Sequence, residues 1–210
     1  MRLFIGTPTQ SKWDPEFGHS LAWTMSDLSG NPGQVKAVHH AWMDGTLLPD
    51  LRMDLARRAQ EIGATHILWC DCDMKFGPTN VRALLKHDLD IVACNYIRRL
   101  PPHHMTAIGM NGAYTKQKTG LEEVLYAGMG LMLTKVSVFD KLPEPWFLMP
   151  WNEDAKEMVG EDVWFCKIAA DHGFKTFIDH DASVGIGHVG KFIHMVEKPE
   201  PTLKLVKGTA

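Results

Sequence analysis

Short apolar runs, cut by polar and glycine- or proline-marked breaks, dominate the first half of this chain. Leu3 to Gly6 is apolar and stops at Thr7-Pro8, as a strand covered on both faces would. A polar stretch punctuated by Ser29, Gly30, Asn31, Pro32 and Gly33 reads as a loop, and Val35 to His40 as a second strand. Leu51, Leu55, Ala56, Ala59 and Ile62 then recur at helical spacing, with Asp50 placed as an N-cap and Gly63 as a stop. His66-Ile67-Leu68-Trp69-Cys70 follows as a strand. Gly77-Pro78-Thr79 introduces a short helix over Asn80 to His87, and Ile91 to Cys94 is another strand.

The second half is less regular. Leu125 to Ala127 and Leu131 to Leu133 are strand-like pieces around Gly128-Met129-Gly130. Val136 to Leu142 predicts a short helix, Glu161 to His172 a longer one, and Thr176 to Ile178 a last core strand. Pro143 to Gly160 carries Trp146, Phe147, Met149 and Trp151 with no consistent period, which predicts a lid or binding loop without structure of its own. Strands without a polar face, alternating with helices, call for an α/β fold whose sheet is covered on both sides.

Composition narrows the class. A chain of 210 residues fits one domain, over 1–190, followed by a polar tail over 191–210. The formal charge of −3 gives no global basic field for sequence-independent nucleic-acid binding. Cys70, Cys72, Cys94 and Cys166 form no Cys-x-x-Cys pair, so neither a zinc knuckle nor a disulfide framework is expected, and a reducing interior is the simplest setting. The amino-terminal apolar stretch is too brief for a signal peptide. No apolar run approaches the roughly 18 residues that span a bilayer, so a soluble, cytoplasmic protein without a membrane span is expected.

Candidate chemistry begins at Asp71-Cys72-Asp73, directly behind the apolar run that ends at Cys70. Two carboxylates one residue apart put hard oxygen ligands at the carboxyl end of a strand, where open α/β sheets bind ligands. His188, flanked by Gly187 and Val189-Gly190, is a third candidate ligand. Two carboxylates and an imidazole suit Mn²⁺ or Mg²⁺, and the imidazole favours Mn²⁺. Glu161 and Asp162 open the helix after Gly160. Carboxylates there also serve as ordinary partners of the helix dipole, but Asp162 is the candidate to take a proton from an attacking hydroxyl.

Four blocks in order carry a resemblance. Ile67-Leu68-Trp69-Cys70-Asp71-Cys72-Asp73-Met74, Tyr126-Ala127-Gly128-Met129-Gly130-Leu131-Met132-Leu133, Gly160-Glu161-Asp162-Val163-Trp164-Phe165-Cys166 and Gly187-His188-Val189-Gly190 are together similar to the signature of GT-A fold glycosyltransferases, nearest the small family-2-like enzymes of phages and bacteria. The resemblance implies a GT-A-like α/β/α sandwich with a central, mostly parallel mixed sheet. It implies a nucleotide-diphosphate sugar as donor, a UDP-sugar first of all, with Asp71 and Asp73 on ribose and metal, His188 completing the metal site and Asp162, beside Glu161, as catalytic base. Cys72 is an unusual middle residue for the motif. Thr7, Pro8, Thr9, Arg52 and Asn95 are the further donor-side candidates. Gly128, Gly130, Trp146 and Trp151 are the candidates for the acceptor side, the tryptophans as a stacking platform. The acceptor class stays open: a glycan, a protein, a small molecule or a hydroxylated DNA base, the last with a host-cytoplasmic location if the gene is phage-borne.

Three rivals share parts of this pattern. An aspartate-dependent phosphatase also places Asp-x-Asp behind an apolar strand, but near the chain start and with Thr or Val where Lys75 stands. A nucleotidyltransferase would need a glycine-rich triphosphate loop after the first strand. A non-catalytic nucleotide-sugar or glycan binding module would be expected to have lost the acidic and metal positions, which are present here.

Overall fold

Alternation along each strand decides which face a residue serves. In β1 (Arg2–Thr9), Leu3 and Ile5 pack on one side of the sheet and Phe4 on the other. The computed structural model describes residues 1–99 and 101–190, and the tail expected over 191–210 lies outside the described residues. After β1 come α1 (Pro15–Gly30), β2 (Ala37–Asp44), α2 (Leu48–Glu61), β3 (His66–Cys70), the two-residue β4 (Met74–Lys75), α3 (Pro78–Lys86) and β5 (Ile91–Ala93). The second half adds β6 (Ile108–Gly109), β7 (Leu121–Tyr126), β8 (Leu131–Lys135), a 3-10 turn over Val136–Val138, β9 (Trp151–Asn152), β10 (Glu157–Met158), α4 (Glu161–Asp171), β11 (Thr176–Asp179) and β12 (Gly187–His188).

One eight-stranded sheet in the order β2-β1-β3-β8-β5-β11-β7-β6 forms the centre. β1 pairs in parallel with β2 and β3, and β11 with β5; β8 lies antiparallel between β3 and β5, and β7 antiparallel between β11 and β6. The sheet is thus mixed: most strands share one direction, while β8 and β7 run against it. Ile67 and Trp69 of β3 join Met53, Leu55, Ala56 and Ala59 of α2 and Phe165 and Ile168 of α4 on one face. Leu68 and Cys70 join Phe17, Leu21 and Leu28 of α1 and Val81, Leu84 and Leu85 of α3 on the other. Each such Leu, Ile or Phe contributes about 1.5–3 kcal/mol by leaving water. No helix among the described residues is long and apolar enough to cross a membrane.

Three expectations are corrected. The polar stretch between the first two strands is largely the helix α1, which begins with Pro15 at a position where its missing N–H costs nothing. Its buried stripe is Phe17, Ser20, Leu21, Thr24 and Leu28, and the two hydroxyl residues hide the apolar period. Ser20 is satisfied there: its Oγ donates to the Glu16 carbonyl at 2.7 Å and accepts from the Phe76 N–H at 3.0 Å. The helix expected over Val136 to Leu142 shrinks to the 3-10 turn. The segment from Pro143 to Gly160 is not structureless either. It contains the β9–β10 hairpin, and Trp146 and Phe147 within it are core residues.

Candidate active site

The carboxyl ends of β1 and β3 meet the start of α1 around a cavity of about 810 Å³. Asp71, Cys72, Asp73, Pro8, Thr9 and His188 line it, so the early acidic pair and the late imidazole share one space. The juxtaposition has a backbone cause. β4 turns back just beyond Asp73, with the Met74 N–H bonded to the Asp71 carbonyl, and pairs antiparallel with β12, matching His188 to Met74. The Val189 N–H then donates to the Asp73 carbonyl at 2.7 Å. Tyr96 supports the imidazole edge-on at 5.2 Å and accepts the Gly130 N–H at its Oη, 3.0 Å away.

Asp71 and Asp73 are held differently. Asp71 Oδ1 accepts from Arg52 Nη2 at 2.9 Å, and Arg52 Nε donates at 3.1 Å to Glu161 Oε1 at the start of α4. Arg52 is only 1% exposed and its guanidinium lies 5.8 Å from the Trp69 ring centroid. Burial opposes its charge, but Asp71, Glu161 and Asp162 outweigh that and raise its proton affinity. Asp71 remains raised, first through burial, despite the arginine.

Asp73 goes the other way. Burial would raise it, but His188 and then Arg99 more than compensate and hold it below the usual carboxylate range. Arg99 Nη1 is 2.7 Å from Asp73 Oδ2, and His188 Nε2 is 3.4 Å from the same oxygen. Asp73 Oδ1 is buried with no hydrogen-bond partner among the described residues.

No three His, Cys, Asp or Glu side chains among the described residues stand ready to grip an ion as they are arranged. The cavity holds the right donors, but guanidinium groups engage an oxygen of each aspartate. Asp73 Oδ1 is the orphaned oxygen there, and Asp71 and His188 line the same cavity, side chains of the chemical type that Mn²⁺ or Mg²⁺ takes though not drawn together as a set.

The other candidates divide. Thr9 is buried at the cavity edge, its Oγ1 donating to the Lys12 carbonyl at 3.2 Å, while Thr7 hydrogen-bonds His40 at 3.2 Å. Asn95 is turned away from the cavity, bonded to Thr115, Thr106 and the Ala107 N–H, so it holds the fold rather than a donor. Gly128 and Gly130 leave room for Tyr96: a Cβ at 130 would stand 2.7 Å from Tyr96 Cζ and 2.9 Å from Met74 Sδ. Their smallness is therefore explained by packing. Trp146 is 4% exposed, its indole N–H given to the Leu142 carbonyl, and it presents no face to an acceptor. Trp151 sits on the β9–β10 hairpin and is 50% exposed.

Glu161 accepts from Arg52 Nε and so helps to position the guanidinium that holds Asp71. Asp162 does not line the cavity. Its Oδ1 accepts from the Val163 N–H at 2.7 Å, and burial, with the adjacent Glu161 charge, pushes it up to about 6. Sequence reasoning missed Gln10, Lys12 and Trp13, which line the cavity from the loop before α1, and Arg99. A cation just past the β5 strand end was the available signal for Arg99.

No family model and no curated protein matches this chain. Among solved structures it is similar to the crystal structure of A197 from STIV, with a TM-score of 0.58 at 14% identity over 95% of this chain and 100% of that one. Identity that low bears on the fold alone, and the fold is mixed α/β with a large central sheet and, among the described residues, four helices.

Proposed function

We propose that the chain is a metal-dependent glycosyltransferase of GT-A type, moving a sugar from a nucleotide diphosphate, UDP first of all, to an acceptor hydroxyl with inversion. The observation that carries this reading is the single cavity lined by Asp71, Asp73 and His188 at the carboxyl end of a two-sided α/β sheet. The helix-covered mixed sheet supports the GT-A assignment.

Asp71, Asp73 and His188 would hold Mn²⁺ or Mg²⁺, which supplies positive charge where the leaving diphosphate gathers negative charge. Arg52 fixes Asp71 in place through their 2.9 Å ion pair. Pro8, Thr9, Lys12 and Trp13 offer the nucleoside a mixed polar and aromatic wall. On this reading the acceptor hydroxyl meets Asp162 outside the lined cavity, and Asp162 takes its proton as the acceptor oxygen bonds to the anomeric carbon and the bond from that carbon to the diphosphate breaks. A carboxylate with its proton affinity raised toward neutrality is a better acceptor for that proton than an ordinary one.

The test is a panel of nucleotide-diphosphate sugars with Mn²⁺, reading released UDP or GDP. Turnover is expected with at least one donor, and Asp73→Asn or His188→Ala should abolish it while the fold persists by circular dichroism. Turnover undiminished in both variants would remove the metal assignment. Failure of every nucleotide-sugar to bind the wild-type protein in calorimetry would remove the whole reading.

A further inference from the structure

Arg99 stands where an incoming cation must go. Its Nη1 lies 2.7 Å from Asp73 Oδ2, the oxygen that also faces His188 Nε2 at 3.4 Å, and all three residues line the same cavity. A divalent ion between Asp73 and His188 would compete for that oxygen and would sit a few ångströms from a guanidinium, where like charges repel. Arg99 is also free to leave. It is half-exposed, in the segment beyond β5, and the ion pair with Asp73 is its only charged partner among the described residues. A diphosphate in the cavity offers a planar guanidinium two oxygens at once, a better partner than one shared carboxylate oxygen.

We infer that Arg99 is an exchangeable counter-cation: it occupies Asp73 until a nucleoside diphosphate draws it away, so that the divalent ion and the diphosphate load together. This rests on the glycosyltransferase reading and adds a residue and an order of loading to it. Cation and diphosphate then raise each other's affinity by the same factor, since coupling between two sites is reciprocal. Arg99 is a positioning residue for the ion and a direct contact for the phosphates.

The experiment measures Mn²⁺ binding by the loss of the free-ion electron paramagnetic resonance signal, with and without UDP, in the wild type and in Arg99→Gln. Arg58→Gln removes the same charge from an exposed position on α2 and controls for net charge. In the wild type, UDP should tighten Mn²⁺ binding at least tenfold. Arg99→Gln should bind Mn²⁺ alone about two- to fivefold more tightly, the scale of one partly exposed charge pair. It should also bind UDP more weakly, so that the coupling shrinks, while Arg58→Gln follows the wild type. If Arg99→Gln binds Mn²⁺ alone no more tightly than the wild type, yet the wild type still binds Mn²⁺ with UDP, the exchange is refuted and the function stands. If the wild type binds neither, both fall.

Discussion

Replacing Arg52 by methionine tests how the cavity wall is held together. The side chain is enclosed, with ion pairs of 2.9 Å to Asp71 and 3.1 Å to Glu161. Methionine preserves much of the stem packing against Trp69 but leaves two carboxylates facing each other without a cation. Removing one partner of a buried pair costs about 3–5 kcal/mol, because the remaining charge keeps its desolvation penalty. The upper part of that range applies to Glu161, whose side chain is only 10% exposed, more than to Asp71 at 28%. For a domain of this size about 3–5 kcal/mol lowers the melting temperature by about 6–20 °C. Without the arginine Asp71, which burial already raises, is raised further above its unfolded value. The folded state then binds more protons, so the variant loses stability as pH rises through that window and regains it as pH falls. Urea unfolding of Arg52→Met and wild type at pH 7 and pH 5 is the assay, with Arg52→Met/Glu161→Gln recovering part of the loss at pH 7. A deficit under 1 kcal/mol, or one that does not shrink toward pH 5, would refute the reasoning that this cation neutralises a buried acidic pair.

Asp162 carries a pH signature. Because burial and then Glu161 raise it to about 6, transfer should rise with pH through about 6, and Asp162→Asn should lose that limb and about 10²–10⁴ in rate. The same raised proton affinity means that wild-type stability falls as pH climbs from about 4 toward 6, a slope that urea midpoints should show flattened in Asp162→Asn. The two tryptophans of the segment from Pro143 to Gly160 should separate cleanly in thermal unfolding. Trp146→Ala empties a core position and should cost about 3–5 kcal/mol, whereas Trp151→Ala, on the exposed hairpin, should stay within about 0.5 kcal/mol.

Periodicity reported well on elements whose buried face is uniformly apolar. The helix of Leu51, Leu55, Ala56 and Ala59, the strands at Ile67 and Ile91 and the helix opening at Glu161 stand where their patterns put them, except that the first of these helices is capped by Leu47 with Pro49 in its opening turn, so Asp50 lies inside the first turn and is not the N-cap. It failed at α1, where Ser20 and Thr24 occupy buried positions while Trp23 faces out, inverting the usual relation between polarity and burial. The acidic pair was legible because a strand end and its next residues are local. What Asp71 and Asp73 bond to was not. Arg52 meets Glu161 across 109 residues of sequence, and Arg99 reaches Asp73 from a segment beyond another strand. Four ordered blocks singled out His188, but only the pairing of β12 with β4 accounts for its place beside Asp73. The cavity's charges are therefore set by contacts that no local pattern encodes. Cations of the chain itself already neutralise the acidic pair, so any ligand that enters must offer Arg99 or Asp73 something better than each other.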